Sequence, residues 1–277
     1  MPVRRWSDGA AEVAIGLRDG KSRLRHLYQS DPCRVLFPRV PAGAPMEVVV
    51  VTTSGGIVGG DRLRFRFEAH EGSTAAFTAQ AAEKVYRSAG AVSELSVSAT
   101  VHDGAFLEWM PQETILFDGA RMRRRNRAEL TGTGRILTGE IVVFGRRARG
   151  EVFSSGYLHD EWRVYRDGRL TWADALHLEG DTGARIDNRF AFGGAASVGT
   201  LIYAGGDAEA QLAAVRSNLG AGAGGVRCAA TRIGEVLIVR FLGADAAALR
   251  MRFADLWKTM RHAVAGYPAR LPRVWEV

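Results

Sequence analysis

The most informative stretch of the sequence is Ser54-Gly55-Gly56-Ile57-Val58-Gly59-Gly60-Asp61-Arg62-Leu63, which separates strand-like segments at residues 47–51 and 63–69. Glycine adopts positive φ and lets other groups approach its backbone closely. Four glycines give the stretch this freedom: Gly55, Gly56, Gly59 and Gly60. The charged pair Asp61-Arg62 starts the second segment. Two interpretations stay open, a wide hairpin turn and a functional loop on a rigid scaffold.

Strand periodicity dominates the first two thirds of the chain. Residues 62–69 and 94–102 alternate between apolar and polar side chains, which predicts strands with one buried and one wet face. Asp-Gly dipeptides such as Asp118-Gly119 recur between these segments and are typical of tight turns. Alternation alone is compatible with a sandwich, a barrel or helically wound strands.

Two helices are predicted near the C-terminus. The first covers the alanine-rich residues 207–219 and ends at Gly220, and the second begins after Asp245 and ends at Gly266. The second helix carries an apolar stripe at helical spacing, which predicts a core-facing side. The stripe consists of Leu249, Phe253, Leu256, Trp257, Met260 and Val264.

The segments between and before these helices suggest one continuous body. A glycine-rich connection at residues 220–225 and a buried strand at residues 236–239 join the two helices. We expect a mainly β protein with one domain over residues 1–277. Within it, a β-rich body covers about residues 1–200 and a small α/β end covers about residues 201–277.

The chain is basic, with 37 basic and 30 acidic residues and a net charge of +7. The densest basic cluster contains five arginines: Arg121, Arg123, Arg124, Arg125 and Arg127. A solvated face is the favoured interpretation of this cluster, and a protein-docking surface is the second. Nucleic-acid binding is disfavoured, because the cluster lacks aromatic side chains on which bases would stack.

Cysteine usage and hydropathy favour a cytoplasmic protein. Cys33 and Cys228 lie far apart and form no metal-binding spacing. The sequence contains no apolar run of signal-peptide or membrane-span length. We therefore expect reduced thiols and no membrane association.

The motifs of several enzyme and metal-site classes are absent from the sequence. The glycine stretch lacks the Lys-Ser/Thr of a phosphate-binding loop, and a strand follows it where a dinucleotide site needs a helix. No two histidines have chelating spacing. The His159-Asp160-Glu161 triplet is interpreted as a surface turn. Sequence alone therefore predicts no stable metal site, although distant residues could still converge.

A group of polar residues interrupts otherwise apolar segments. A carboxylate such as Glu140, flanked by Gly139 and by Ile141-Val142-Val143, must find a partner or line a wet channel, because an unpaired buried charge is costly. Buried ion pairing and a polar channel both stay open for the group as a whole. Its members are Asp61, Lys84, Tyr86, Gln112, Glu113, Asp118, Glu140 and Glu151.

Five blocks in sequence order resemble the signature of the UreD (UreH) family of urease accessory proteins. Each block alone is moderately specific, but together they extend over nearly the whole chain. The blocks are GGIVGGDRL at 55–63, TAQAAEKVYRS at 78–88, LEWMPQETILFDGAR at 107–121, GEIVVFGRRARGE at 139–151, and the C-terminal LWKTMR at 256–261 with PRVW at 272–275.

The resemblance implies a fold and a function. It implies a mainly β fold whose strands wind in helical layers, with two helices packed near the C-terminus. It implies an accessory protein without enzymatic activity, which bridges UreF and the GTPase UreG to apo-urease and occurs in two copies per assembly. Nickel would pass through it in transit, and no cofactor would be bound tightly, because a conduit must hold its ion weakly at several places.

The same resemblance assigns candidate residues. Asp61 and Glu140 are the first candidates for carboxylates of a nickel passage, and Glu113, Glu151 and Lys84 are the second. The family motif further singles out a set of structural or functional positions: Gly55, Gly56, Gly59, Gly60, Arg62, Lys84 and Tyr86. A competing hypothesis is an enzyme with a glycine-lined pocket for a small anion, bound by Arg62 and Lys84.

Overall fold

The computed structural model describes residues 6–41, 43–220 and 225–276. In these ranges the chain forms seventeen strands and three α-helices. The strands are β1 (Asp8–Arg18), β2 (Lys21–Ser30), β3 (Cys33–Leu36), β4 (Met46–Thr52), β5 (Arg62–Ala69), β6 (Thr74–Ala79), β7 (Glu83–Val85), β8 (Ser93–Val101), β9 (Phe106–Met110), β10 (Thr114–Leu116), β11 (Arg121–Leu130), β12 (Arg135–Phe144), β13 (Ser155–Arg166), β14 (Arg169–Asp181), β15 (Ser197–Ala204), β16 (Val226–Ile233) and β17 (Val236–Gly243). The helices are α1 (Thr182–Asp187), α2 (Ala208–Leu219) and α3 (Ala246–Ala265). Most of the glycine-rich connection at residues 220–225 lies outside the described residues.

The described strands form two sheets, and the chain winds between them. The seven-stranded sheet has the order β14-β13-β11-β8-β5-β1-β2. The ten-stranded sheet has the main order β16-β17-β15-β12-β9-β6-β4-β3, with β7 and β10 paired beside it. From β4 to β13, successive long strands alternate between the sheets, and strands of successive passes run parallel. This winding confirms a mainly β fold built from helical layers.

Antiparallel strands complete the sheets at their ends. In the seven-stranded sheet, β2 pairs with β1 and β14 pairs with β13. In the ten-stranded sheet, β3 pairs with β4, and β15, β17 and β16 extend the sheet beyond β12. The hairpin interpretation of the glycine stretch is wrong, because β4 and β5 lie in different sheets and the stretch crosses from one to the other.

The facing sides of the two sheets form the main core. Strand β5 alternates as predicted, with Leu63, Phe65 and Phe67 buried and the residues between them more exposed. The ring of Phe67 packs against Phe77 at 4.4 Å and Trp109 at 4.8 Å between centroids, so aromatic contacts join the two sheets. The two-residue period therefore follows from burial of one face of each strand.

Helices α2 and α3 pack against the outer face of the ten-stranded sheet. Helix α3 begins after Asp245, whose side chain accepts a hydrogen bond from the Ala247 N–H, and ends before Gly266 at φ 67°. Every residue of the predicted apolar stripe is buried, including Trp257. The two predicted C-terminal helices are therefore confirmed, whereas the short α1 was not expected from the sequence.

Two arginines of α3 tie the helix to the sheet beneath it. Arg261 donates to both carboxylate oxygens of Glu108 in β9, at 3.0 and 2.6 Å, and both side chains are buried. Arg250 donates to both oxygens of Glu113 at 3.0 Å. Paired, directional contacts of this kind fix a helix more specifically than apolar packing alone.

None of the helices in the described part of the chain combines the length and the apolar character that spanning a bilayer requires.

Shortening a buried side chain of α3 tests how much the packing of this helix contributes to stability. We expect Trp257→Ala to lower the free energy of unfolding by about 3–5 kcal/mol, because it leaves a large cavity in the packed layer. The matched control is Met251→Ala on the exposed side of the same helix, with an expected change below about 0.5 kcal/mol. Denaturant titration measures both changes. Equal small losses would contradict the packing described here.

Candidate functional site

The glycine stretch, residues 54–60, docks along strand β7. The Ile57 N–H donates to the Lys84 carbonyl oxygen at 2.7 Å, and the Tyr86 N–H donates to the Ile57 carbonyl oxygen at 2.9 Å. The Tyr86 hydroxyl donates to the Gly55 carbonyl oxygen at 3.1 Å. The crossover between the sheets is thus held by backbone hydrogen bonds, with Tyr86 as a side-chain clamp.

Close approach explains the glycines of this stretch. Gly56 has φ +144°, and a Cβ there would lie 2.8 Å from the Lys84 carbonyl oxygen. A Cβ on Gly59 would lie 2.5 Å from the Ala91 carbonyl oxygen, so this glycine is needed for space. Gly60 packs under the ring of Trp6. Larger residues would therefore push the stretch away from its neighbours.

Asp61 anchors the end of the same stretch. Its Oδ1 accepts a hydrogen bond from the Ser7 N–H at 2.8 Å, and its Oδ2 accepts one from the Val58 N–H at 2.9 Å. The side chain is buried, so these bonds replace its hydration. Both oxygens of this first-choice candidate carboxylate are thus engaged by backbone amides.

A cavity of about 150 Å³ lies between the two sheets beside the glycine stretch. Gly55, Gly56 and the exposed Lys84 line its outer part, and Glu140 lines its inner part. Burial raises the pKa of Glu83, another lining residue, to about 7. The cavity therefore combines a glycine-walled opening with the carboxyl group of Glu83, whose pKa lies near neutral pH.

A buried ion cluster closes the inner part of this cavity. Arg124 of β11 donates to both oxygens of Asp160 of β13, with the Nε–Oδ1 bond at 2.9 Å, and its Nη1 donates to the Thr114 hydroxyl at 2.9 Å. The Asn126 amide also donates to Asp160 at 3.1 Å. Burial alone would lower the pKa of Arg124, but Asp160 and Glu140 raise it above its ordinary value.

Glu140 of β12 meets this cluster from the opposite sheet. Its Oε1 accepts a hydrogen bond from the Trp162 indole N–H at 2.9 Å. Its Oε2 contacts Arg124 as an ion pair, but no donor in the described residues is aligned to give it a hydrogen bond. Burial raises the pKa of Glu140 to about 8, although Arg124 opposes the rise. The cluster thus contains one guanidinium and two carboxyl groups, and the raised pKa means that Glu140 keeps its proton near neutral pH.

Glu140 also lines a second cavity, of about 320 Å³. This cavity further contains Asp160, Asp174 and Arg240, and it reaches exposed residues such as Ala191. Arg240 donates to the Thr200 hydroxyl and pairs with Asp174. Two cavities with charged side chains in their linings therefore share the same buried glutamate as a wall.

Of the remaining candidate residues, Gln112 also lines the first cavity, whereas Glu113, Glu151 and Arg62 line neither cavity. Glu113 is paired with Arg250 of α3. Glu151 lies in a loop beyond β12 and accepts a hydrogen bond from Arg146 at 2.5 Å, which lowers the pKa of its carboxyl group. Arg62 is exposed at the start of β5. The anion-pocket hypothesis thus retains Lys84 at the first cavity but not Arg62.

Sequence interpretation missed Arg124 and Asp160. The His159-Asp160-Glu161 triplet is not a surface turn but the middle of β13, where Asp160 is buried. Arg124 is likewise buried, so the solvated-face interpretation of the arginine cluster is wrong at this position. A signal existed, because Asp160 lies between Leu158 and Trp162 in the apolar phase of an alternating segment.

The proton on Glu140 predicts a pH dependence of stability. The carboxyl pKa of Glu140 is about 8 in the folded chain against an ordinary value of 4.5. The folding stability that comes from this raised pKa is therefore complete at low pH and is lost as pH rises through 8. Relative to Glu140→Gln, we expect the wild-type unfolding free energy to fall between about pH 5 and pH 8, by at most about 1.4 kcal/mol per pH unit. Denaturant titrations across this range measure the difference in unfolding free energy. Parallel curves of unfolding free energy against pH for the two proteins would refute the prediction.

The glycine stretch gives a second prediction. Gly56→Ala places a Cβ 2.5 Å from the Tyr86 ring and against the Lys84 backbone, so we expect it to lower the unfolding free energy by about 2–4 kcal/mol. Gly55→Ala is the control, since its φ of +73° adds strain but the space around it is open; about 1–2 kcal/mol is expected. Thermal or denaturant unfolding separates the two, and equal losses would exclude the close approach.

Comparison with known proteins identifies the family. The sequence model described as UreD urease accessory protein matches residues 7–276. The urease accessory protein UreD of Magnetococcus marinus is 46% identical over 272 residues, which cover 97% of this chain and 94% of the relative. The urease accessory protein UreD of Methylobacterium sp. strain 4-46 is 39% identical over 279 residues, which cover 99% of this chain and 96% of the relative. That of Chelativorans sp. strain BNC1 is 37% identical over 276 residues, which cover 100% of this chain and 96% of the relative. These relatives are named as accessory proteins and not as enzymes. The chain belongs to the UreD family of urease accessory proteins.

Proposed function

We propose that this chain is a non-catalytic subunit of the machinery that matures urease, and that nickel passes between its two sheets. In this role it binds UreF directly, reaches UreG through UreF, and presents the assembly to apo-urease, with two copies in the complex. Family membership supports the role in urease maturation, since the relatives are named urease accessory proteins. The charged side chains that line the two interior cavities support the passage.

The observation that carries the passage is the position of Glu140 in the wall of both cavities. The first cavity reaches exposed Lys84 beside the glycine stretch, and the second reaches exposed Ala191. An ion that enters at the glycine stretch would meet Glu140 before it reached the second cavity. Glu140 is therefore the residue at which the route opens or stops.

The carboxyl groups along this route suit transit more than storage. Nickel accepts carboxylate oxygens, but thiolates and several imidazoles would bind it more tightly. The route offers Glu83, then Glu140 with Asp160, then Asp174. Arg124 lies beside the middle pair and repels a cation, so the ion would be held weakly enough to leave. Its arrival would displace the proton of Glu140.

The geometry narrows the candidate residues of the proposal. Glu140 Oε2 is ion-paired with Arg124 but accepts no aligned hydrogen bond from the described residues, so an arriving ion can compete for this oxygen. Asp61 has both oxygens engaged by the turn, so its role is to hold the glycine stretch beside the first cavity. Glu113 and Glu151 lie in ion pairs elsewhere. The passage is thus assigned to Glu83, Glu140, Asp160 and Asp174.

A reconstituted maturation assay tests this assignment. Complexes with UreF and UreG are assembled from wild-type or Glu140→Gln chain, supplied with nickel and GTP, and mixed with apo-urease. We expect Glu140→Gln to lower the rate of nickel incorporation and of urease activation about tenfold, the effect of losing roughly 1.4 kcal/mol at one step of the route. Metal analysis of the purified urease and its ureolytic activity are the two readouts.

The matched control is Glu108→Gln. Glu108 is also a buried glutamate paired with an arginine, Arg261, but it lines neither cavity. The control is expected to assemble and to activate urease at the wild-type rate. Normal activation by Glu140→Gln in an intact complex, or an equal loss in a Glu108→Gln complex that is also intact, would refute the passage.

A further inference from the structure

Parallel winding brings two histidines together that are far apart in the sequence. Strands β5 and β8 pair in parallel with Ala69 opposite Val101, so the residues that follow, His70 and His102, are neighbours on adjacent coils. Their imidazole rings stack at 5.3 Å between centroids, with 2° between ring planes. The backbone N–H of His102 donates a hydrogen bond to the Ala69 carbonyl oxygen at 2.9 Å, which fixes this register.

Glu68 completes a three-residue group. It lies two residues before His70 and so shares its face of the strand. Its Oε1 is 2.7 Å from His102 Nε2 and 3.8 Å from His70 Nε2. One ligand atom from each residue lies within 4.8 Å of the others, and each side chain is about one-third exposed. The group is therefore accessible without rearrangement of the core.

The geometry points to a binding site for a divalent late transition-metal ion at Glu68, His70 and His102. Two imidazoles and one carboxylate form a ligand set that suits zinc and nickel, with remaining positions open to water. Tetrahedral zinc coordination at about 2.1 Å places ligand atoms about 3.4 Å apart, so small side-chain rotations suffice. The ligands lie at the C-terminal ends of β5 and β8, two central strands of the seven-stranded sheet, which limits the entropy lost on binding.

The site lies apart from the interior cavities. It follows the ends of β5 and β8, whereas the glycine stretch lies before the start of β5. Among the described residues, this group alone brings three potential ligands so close. His159 and His177 also meet, at 5.6 Å between ring centroids, but each lies near a different glutamate. The proposal does not depend on the passage, because no residue is shared.

Nickel binding to the full-length chain tests the site. The protein is dialysed to equilibrium against Ni²⁺ at mildly alkaline pH, and the bound metal is counted. We expect the His70→Ala, His102→Ala double variant to bind one ion fewer per chain than the wild type. Glu68→Gln should weaken the binding of the same ion by at least about tenfold.

The matched control is the His159→Ala, His177→Ala double variant, which removes two facing imidazoles of the same sheet without a shared carboxylate. It should retain the ion. In the wild type, Ni²⁺ should also protect His70 and His102 from modification by diethyl pyrocarbonate. Equal nickel binding by wild type and the His70→Ala, His102→Ala variant, or modification of both histidines at the same rate with and without nickel, would overturn the proposal.

Discussion

The buried guanidinium of Arg124 joins the two sheets where apolar side chains would otherwise close the space between them. A charge in this position costs several kcal/mol unless it is fully paired. Asp160 from the same sheet and Glu140 and Thr114 from the other supply that pairing. Charged side chains therefore line the two cavities that adjoin Glu140, so the proposed passage depends on this cluster.

Local features of the fold could be predicted from the sequence. Alternation in β5 and β8, the start of α3 at Asp245 and the burial of Trp257 follow from local period and capping, and the structure confirms each. The winding of the strands could not be derived locally, because parallel and antiparallel strands share the same two-residue period. The family resemblance implied it instead, and parallel pairing between β5, β8 and β11 confirms it.

Only those parts of the candidate site that stand out in the local sequence could be predicted. Glu140 and the glycine stretch stood out by composition, and both line the first cavity. Arg124 was hidden among neighbouring arginines, and Asp160 among polar neighbours, so only the phase of each strand distinguished them. Contacts between coils, such as that between His70 and His102, depend on register, which a single sequence does not specify.

The central claim is that nickel enters the space between the sheets and meets Glu140. Anomalous diffraction at the nickel absorption edge, from crystals of the chain bound to UreF and soaked in Ni²⁺, measures this most directly. The account predicts a nickel peak between the sheets, in contact with the Glu140 carboxylate. Fully occupied nickel at surface positions, with no anomalous signal anywhere between the sheets, would contradict it.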